Sequence, residues 1–333
     1  MSATRPQLTD PFRIADVEIS NRVLLAPLAG IGNWFVRLQA KRHGAGLAVS
    51  EMVSSFALHY RNERTLSELL RLHFEEHPVS IQLFGQDPEV MRSAAEIVAE
   101  TGADLIDINM GCPVRKICKT GAGAALLSDH DLAVRIANAA REGGGGRPVT
   151  VKLRSGLAPG GREGFDLALR LADEAGVSAI GFHPRSVATQ HKGQPDYALA
   201  RELAERLEVP MIISGGLDTA EAARQAYLAS GADAVMIARG SLGNPWIFEQ
   251  LTGRRSADPD REEVVAELLW LIDRAEEHIG PDRAARYLRK FYPWYLERLG
   301  VDKATAAAFQ QSDDLAEARR LVDQLAEPVA ALA

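Results

Sequence analysis

The chain has 333 residues, of which 46% are hydrophobic, 25% charged and 6% aromatic. This composition is typical of a globular protein and excludes disordered, collagen-like and disulfide-scaffold chains. The 38 basic and 45 acidic residues give a net charge of −7, so any surface that binds nucleic acid must be a local basic patch.

The sequence pattern predicts neither a membrane-spanning helix nor a signal peptide. No apolar run approaches the ~18 residues that a membrane-spanning helix needs, and the N-terminus lacks the basic and then apolar layout of a signal peptide. Two cysteines are too few for a disulfide framework. These features predict a cytoplasmic protein without a membrane segment.

Short apolar segments recur along the chain, and their first residues alternate between glycine and proline. The segments begin at Gly44, Pro78, Gly102, Pro148, Gly176, Pro210 and Gly231. Together with the first run, Val23-Leu24-Leu25, they make eight candidate strands. Because these strands are apolar on both faces, they are typical of a parallel sheet that helices cover all round.

Helical patterns separate the candidate strands. Asp87-Pro88 begins one helix with a capping residue and a proline in the first turn, and Gly102 ends it. Similar helices are predicted over residues 128–142, 166–175, 196–207 and 218–230. Eight such units most simply close into a (β/α)8 TIM barrel. A doubly wound open sheet is the alternative, but a Gly-x-Gly-x-x-Gly pattern after the first strand is absent.

The alternation of strand and helix stops after the eighth unit. Residues 252–261, rich in Gly, Pro and Asp, are predicted to be a linker. The pattern that follows is helical, and its apolar residues share one face: Val264, Leu268, Leu271 and Ile272. We therefore predict a catalytic barrel over residues 1–251 and an all-helical domain over residues 262–333.

Polar residues cluster at the carboxyl ends of the strands, where a barrel of this kind carries its active site. Strands seven and eight end in Ser214-Gly215-Gly216 and Ala238-Arg239-Gly240. Small residues beside an arginine are typical of a phosphate site, since backbone N–H groups can approach the phosphate. The alternative is a plain turn in which Asp218 caps the next helix.

Lys152 and Gln82 also lie at strand ends. A cation at the mouth of a phosphate-binding barrel suits a flavin, whose reduced ring carries negative charge near N1 and O2. An amide such as that of Gln82 suits the same ring edge. A lysine that only reaches solvent is the alternative. For His183, a flavin contact and a structural role both stay open.

Cys112 follows the fourth strand in a Gly-Cys-Pro turn. Because Pro113 cannot continue a strand, the thiol is predicted at the rim of the barrel; a buried small residue is the alternative. Cys118 follows six positions later, which fits neither a CxxC pair nor a zinc site. The eight histidines show no metal-ligand spacing, so no metal is expected.

A basic and aromatic segment near the C-terminus supplies the local patch that the net charge requires. Three of the six tyrosines fall between residues 287 and 295, beside Arg286, Lys290 and Arg298. One interpretation is an amphipathic helix that packs its rings inward. The other is an RNA surface, with cations on phosphates and rings available for stacking.

The motifs at the strand ends resemble those of the bacterial tRNA-dihydrouridine synthases, most closely the B-type branch. The most specific of them is the run Asp-Ile-Asn-Met-Gly-Cys-Pro at residues 107–113. The others are Ala26-Pro27-Leu28-Ala29-Gly30, Ser50-Glu51-Met52, residues 121–127, residues 152–154, Pro245-Trp246-Ile247-Phe248, Ala285-Arg286-Tyr287 and Trp294-Tyr295-Leu296. Strand seven departs from the family pattern, which usually has Asn-Gly followed by an acid where this chain has Ser214-Gly215-Gly216.

The resemblance implies an FMN-bound barrel with a helical tRNA-binding domain. Such a protein reduces the C5–C6 bond of selected uridines, with NADPH as the electron source. Flavin N5 would give a hydride to C6, and Cys112 would give a proton to C5. A thiol of ordinary pKa is mostly protonated at pH 7, as a proton donor must be.

The site residues follow from the resemblance and from the strand ends. The predicted flavin contacts are Pro27, Leu28, Ala29, Gln82, Lys152, His183, Ser214, Gly215, Gly216, Ala238 and Arg239. The predicted substrate contacts are Asn109, Arg154, Arg185, Arg286, Lys290 and Arg298.

Two other functions stay open at this point. One is an FMN barrel oxidoreductase that acts on a small molecule, of the dihydroorotate or enoate type. The other is a non-catalytic RNA-binding barrel without a cofactor. A basic, aromatic helical tail favours tRNA as the substrate, because a small-molecule enzyme does not require one. The sequence alone does not choose between transfer and ribosomal RNA.

Overall fold

The computed structural model describes residues 5–326, which contain ten β-strands and fourteen α-helices. The strands are β1 (Phe12–Ile14), β2 (Val17–Ile19), β3 (Val23–Leu25), β4 (Leu47–Ser54), β5 (Val79–Phe84), β6 (Leu105–Met110), β7 (Val149–Arg154), β8 (Ala179–His183), β9 (Met211–Ser214) and β10 (Ala234–Ile237). The helices are α1 (Trp34–Arg42), α2 (Ser55–His59), α3 (Pro88–Glu100), α4 (Arg115–Cys118), α5 (His130–Gly143), α6 (Glu163–Glu174), α7 (Tyr197–Ala204), α8 (Ala220–Ser230), α9 (Trp246–Leu251), α10 (Arg261–Ile279), α11 (Pro281–Leu288), α12 (Tyr292–Leu299), α13 (Lys303–Gln311) and α14 (Leu315–Ala326).

Eight strands form one closed barrel in the order β10-β3-β4-β5-β6-β7-β8-β9. Every neighbouring pair is parallel, and the barrel closes where Val235 and Ile237 of β10 pair with Val23 and Leu25 of β3. These strands coincide with the eight predicted segments. The prediction of a TIM barrel followed by a helical region is therefore confirmed.

Glycines end the helices that lead into four of the barrel strands. Their φ angles are all positive: +102° at Gly44, +89° at Gly102, +56° at Gly176 and +73° at Gly231. This left-handed region costs glycine little and other residues much more. The glycine-led strand openings are thus a consequence of how each helix stops.

The caps of two barrel helices test the predicted helix starts. The Asp87 carboxylate accepts hydrogen bonds from the N–H groups of Glu89 and Val90, so α3 begins as predicted. At α8 the alternative interpretation of Asp218 as a cap is wrong. The hydroxyl of Thr219 accepts from the N–H of Ala222 instead and caps the helix.

An antiparallel hairpin of β1 and β2 precedes the barrel, and the sequence analysis does not predict it. Phe12, Ile14 and Ile19 of this hairpin are buried in one hydrophobic cluster. The cluster includes residues from the amino-terminal halves of barrel strands, namely Leu24, Leu47, Leu105, Ala179, Ile212 and Ala234. The hairpin therefore covers the end of the barrel that lies opposite the carboxyl ends of the strands.

The described chain divides into two compact units. One consists of the residues up to 240 together with residues 247–254, and it contains the barrel. The other consists of residues 241–246 and those from 255 onward, and it contains α10 to α14. The domain boundaries predicted at residues 251 and 262 stay a prediction, and residues 327–333 lie outside the described part.

The helical unit has its own core. The predicted apolar face of α10 is buried: Val264, Leu268, Leu271 and Ile272. The side chain of Asp260 caps α10 by accepting from the Glu263 N–H. Between residues 5 and 326, no helix combines the length and the apolarity that crossing a membrane requires.

A buried ion pair fixes the connection after β3. Arg37 of α1 donates to both carboxylate oxygens of Glu76, at 2.7 and 3.1 Å, and both side chains are almost completely buried. The same guanidinium donates to the carbonyl oxygens of Gly32 and Arg71. The pair thus joins the loop after β3 to the connection between β4 and β5.

We expect Glu76→Ala to lower the free energy of unfolding by about 3–5 kcal/mol, because it leaves the buried Arg37 guanidinium without its counter-charge. Urea unfolding of the two proteins measures the loss. The matched control is Glu202→Ala, which removes an exposed ion pair with Arg162 and should leave the unfolding midpoint nearly unchanged. Equal losses in the two variants would contradict this account of the fold.

Candidate active site

Three adjacent strands place polar side chains inside the barrel. Gln82 of β5, Asp107 of β6 and Thr150 of β7 occupy paired positions across the sheet. The buried Asp107 carboxylate accepts hydrogen bonds from Gln82 Nε2 at 2.6 Å and from Thr150 Oγ1 at 2.5 Å. Asp107 is thus a site residue that the sequence analysis did not single out, although it stands in the most specific motif of the chain.

Asn109 extends this hydrogen bonding to the turn after β6. Its Nδ2 donates to Gln82 Oε1 at 2.9 Å. Its Oδ1 accepts from the backbone N–H groups of Gly111 at 3.2 Å and Cys112 at 2.9 Å. Side chains from β5 and β6 therefore hold the backbone of the turn that carries Cys112.

Cys112 is half-buried at the carboxyl end of the barrel. Burial raises the pKa of its thiol, against the smaller opposing effects of the Val114 N–H and the positive charges of Arg154 and Lys152. The Cys118 thiol donates to the carbonyl oxygen of Cys112 at 3.3 Å. Cys112 therefore carries its proton at neutral pH, although its catalytic role stays a prediction.

The mouth of the barrel holds an excess of positive charge. We call Lys152, Arg154, Arg185 and Arg239 the cation cluster. Burial, and then repulsion by Arg154, lowers the pKa of Lys152 to about 8. Burial and Arg185 lower the pKa of Arg154 to about 10. Lys152 and Arg154 are thus costly to keep charged together, which favours an anionic partner beside them.

The positive charge of the cation cluster also affects two histidines. Burial, together with Lys152 and Arg154, lowers the pKa of His183. Burial also lowers the pKa of His191, helped by all four members of the cation cluster. The two rings lie 6.2 Å apart between centroids. Both imidazoles are therefore neutral at physiological pH, and the Nε2 of His183 accepts a hydrogen bond from Arg185 Nη1 at 3.3 Å.

Two members of the cation cluster also hold loops in place. Arg154 donates to the carbonyl oxygens of Gly111, Ser186 and Gln190. Arg185 donates to the carbonyl oxygen of Gly193 through Nε and Nη2. Both side chains are buried. Their predicted contact with RNA stays a prediction, whereas their structural contacts are direct.

The backbone after β9 passes through two consecutive glycines with positive φ. Gly215 and Gly216 adopt φ of +93° and +77°. A Cβ at Gly215 would collide with the ring of His183, and one at Gly216 would lie 3.0 Å from Pro195. The Tyr197 hydroxyl donates to the Gly215 carbonyl oxygen at 2.9 Å. Only glycine therefore fits here, because φ is positive at both positions and neighbouring side chains occupy the space that a Cβ would need.

The structure brings the predicted flavin contacts to one end of the barrel. Gln82, His183 and Ser214 are buried near the ends of β5, β8 and β9. The others lie at the end of β7 or in the loops after β3, β9 and β10: Pro27, Leu28, Ala29, Lys152, Gly215, Gly216, Ala238 and Arg239. Their roles as ligand contacts stay predictions.

Three further cations follow Cys112 directly. Arg115, Lys116 and Lys119 are exposed on and beside α4. The sequence analysis missed them, although three basic residues among the five positions 115–119, shortly after the candidate thiol, were a readable signal. Among the described residues, no group of three His, Cys, Asp or Glu side chains could hold a metal ion.

In the basic segment of the helical unit, the predicted RNA-binding cations are exposed to solvent, whereas two of the three tyrosine rings are buried. Arg286 and Lys290 are exposed. Arg298 is exposed too, but its Nε donates to the Gly243 carbonyl oxygen at 3.0 Å. Tyr292 and Tyr295 are buried, so the interpretation that they stack on bases is wrong, and the inward-packing alternative holds for them.

Comparison with known proteins identifies the family. The family model described as Dihydrouridine synthase (Dus) matches residues 24–331. The protein named tRNA-dihydrouridine synthase B from Pasteurella multocida is 35% identical over 309 residues, covering 91% of this chain and 92% of that protein. The Pseudomonas aeruginosa protein of the same name is 34% identical and covers the same shares. The resemblance found in the sequence is confirmed.

Solved structures share the barrel. A 2-naphthoyl-CoA reductase complex aligns with a TM-score of 0.60 at 14% identity, covering 75% of this chain and 52% of that chain, so this chain spans about half its length. Morphinone reductase aligns with a TM-score of 0.56 at 16% identity, covering 79% of this chain and 94% of that chain. The old yellow enzyme homologue from Zymomonas mobilis aligns with a TM-score of 0.56 at 18% identity, covering 78% of this chain and 96% of that chain. These likenesses support the fold.

The buried carboxyl of Asp107 predicts a pH-dependent stability. Burial raises its pKa from 3.8 to about 6, so between these values the folded state holds a proton that the unfolded state has lost. Its contribution to the free energy of unfolding should therefore fall by about 3 kcal/mol from about pH 3 to about pH 7 and stay level above. The difference between wild type and Asp107→Asn in urea unfolding measures it. A difference independent of pH would contradict the assignment.

Proposed function

The chain belongs to the dihydrouridine synthase family, and from this premise we propose that it reduces the C5–C6 bond of uridines in tRNA, with bound FMN and with NADPH as the electron source. One observation carries the proposal: a protonated, half-buried thiol and the cation cluster, of which Arg154 and Arg185 are buried, lie at the same end of one barrel. We also propose that the protein acts in the cytoplasm, where tRNA is available and free thiols stay reduced.

The residues present fit FMN. A phosphate group is an anion, and the half-buried glycine turn at Gly215 and Gly216, at the same rim as the cation cluster, is the kind of site that holds one. Lys152 and Gln82 would meet the flavin ring, the first as a cation and the second as an amide. The remaining predicted contacts in the loops after β3 and β10 would complete the pocket.

When bound, FMN supplies a hydride to C6 of the uracil. The chain itself must then deliver a proton to C5, and Cys112 is the group at the barrel mouth that can do so. Its raised pKa keeps the proton on sulfur until the reaction draws it away. Lys152, with a pKa of about 8, is mostly cationic at pH 7 and stabilises negative charge that develops beside it.

The RNA surface of the proposal has two parts. Arg286 and Lys290 are exposed in the helical unit, and Arg115, Lys116 and Lys119 are exposed beside the thiol. Phosphate contacts from such cations supply affinity that does not depend on base sequence. Since a uracil must leave its stack to reach the barrel interior, contacts beside the thiol would hold the strand that flanks it.

We expect Cys112→Ala to leave reduction of bound flavin by NADPH unchanged and to lower dihydrouridine formation by a factor of about 100–10,000, the usual contribution of a positioned proton donor. Stopped-flow absorbance follows the first reaction, and mass spectrometry of tRNA nucleosides follows the second. Cys118→Ser, which retains a donor to the Cys112 carbonyl oxygen, is the matched control. Normal tRNA modification by Cys112→Ala would show that another group gives the proton.

We expect the double variant Arg286→Gln and Lys290→Gln to bind tRNA more weakly and with a shallower salt dependence. The slope of log affinity against log salt should fall by about one for each cation lost. Filter binding across a salt series measures it, and Arg135→Gln on the exposed face of α5 is the control. Unchanged binding would favour a small-molecule substrate, and a protein that takes up no FMN would favour a non-catalytic barrel.

A further inference from the structure

The buried side chains between β7 and Cys112 form one hydrogen-bonded chain. It runs from Thr150 to Asp107, from Asp107 to Gln82, from Gln82 to Asn109, and from Asn109 to the N–H groups of Gly111 and Cys112. Each member is buried or nearly so. The chain thus links the barrel interior to the turn that holds the proposed proton donor.

Asp107 sets the donor-to-acceptor direction of this chain of hydrogen bonds. An ionised carboxylate has no hydrogen to donate, so Gln82 must turn its Nε2 toward Asp107. The Oε1 of Gln82 then faces Asn109 and accepts a hydrogen bond from its Nδ2. This leaves Asn109 Oδ1 to accept from the turn. Were the Gln82 amide reversed, Asn109 would present N–H groups to the N–H groups of Gly111 and Cys112, and both bonds would be lost.

We propose that Asp107 is a positioning residue, which fixes the orientation of the Gln82 and Asn109 amides and thereby holds the Cys112 turn. The proposal rests on the proposed function in taking Cys112 as the proton donor. Asp107 is buried, and its two oxygens accept hydrogen bonds from Gln82 and Thr150. It acts through its neighbours.

The charge of Asp107 also faces Lys152 on β7, the titratable group that interacts with it across the barrel interior. A test must therefore separate the acceptor role from the charge. Asp107→Asn removes the charge but keeps an acceptor, because its Oδ1 can face Gln82 while its Nδ2 faces the Thr150 hydroxyl. Asp107→Leu removes both.

The readout is the alkylation rate of Cys112 by iodoacetamide in the flavin-free protein, in a Cys118→Ser background that leaves one thiol. We expect Asp107→Leu to raise the rate about fivefold, the effect of losing one ordinary hydrogen bond that holds the turn. Asp107→Asn should stay within about twofold of the parent. Asp107→Ala is measured in parallel, since it removes the acceptor without added bulk if leucine prevents folding.

A double variant tests whether Asp107 acts through Gln82. Gln82→Leu breaks the chain at the next link, so adding Asp107→Leu to it should change the alkylation rate no further. Additive effects, an unchanged rate in Asp107→Leu, or equal rises in the asparagine and leucine variants would overturn the proposal. The thiol assay requires neither FMN nor tRNA, so its failure is distinct from failure of the proposed activity.

Discussion

Closure of the parallel barrel is the constraint on which the site depends. Strand β10 pairs with β3 although more than 200 residues separate them, and all eight strands point the same way. The loops after β3, β5, β6, β7, β8, β9 and β10 therefore meet at one rim. The Cys112 thiol, the amides of Gln82 and Asn109, the turn at Gly215-Gly216 and the cation cluster come together there, although most of them are far apart in the sequence.

The electrostatics of the rim carry a cost that a ligand can relieve. Lys152 and Arg154 are buried beside other cations, and the pKa of each is lowered as a result. Burial and, to a smaller extent, repulsion of these charges destabilise the folded chain, because neither acts on them when it is unfolded. An anionic ligand that enters the rim removes part of this repulsion. Binding and folding stability are thus coupled through the same charges.

Much of the fold could be predicted because each helix stop and strand start is a local event. The glycines at positive φ and the apolar runs after them recur at all the expected places. The hairpin could not be found, since its three-residue strands are each interrupted by a charged residue, Arg13 or Glu18, whereas the equally short β3 is wholly apolar. Asp107 and the fate of Tyr292 depend on packing across the chain, which no local pattern records.

The hairpin of β1 and β2 has one more consequence. By covering the amino-terminal end of the barrel, it makes that end a part of the hydrophobic core. In barrels of this kind the amino-terminal end contributes to stability, whereas the carboxyl end carries the active site. Variation in the hairpin is thus expected to alter the melting temperature of the protein while the rim stays intact.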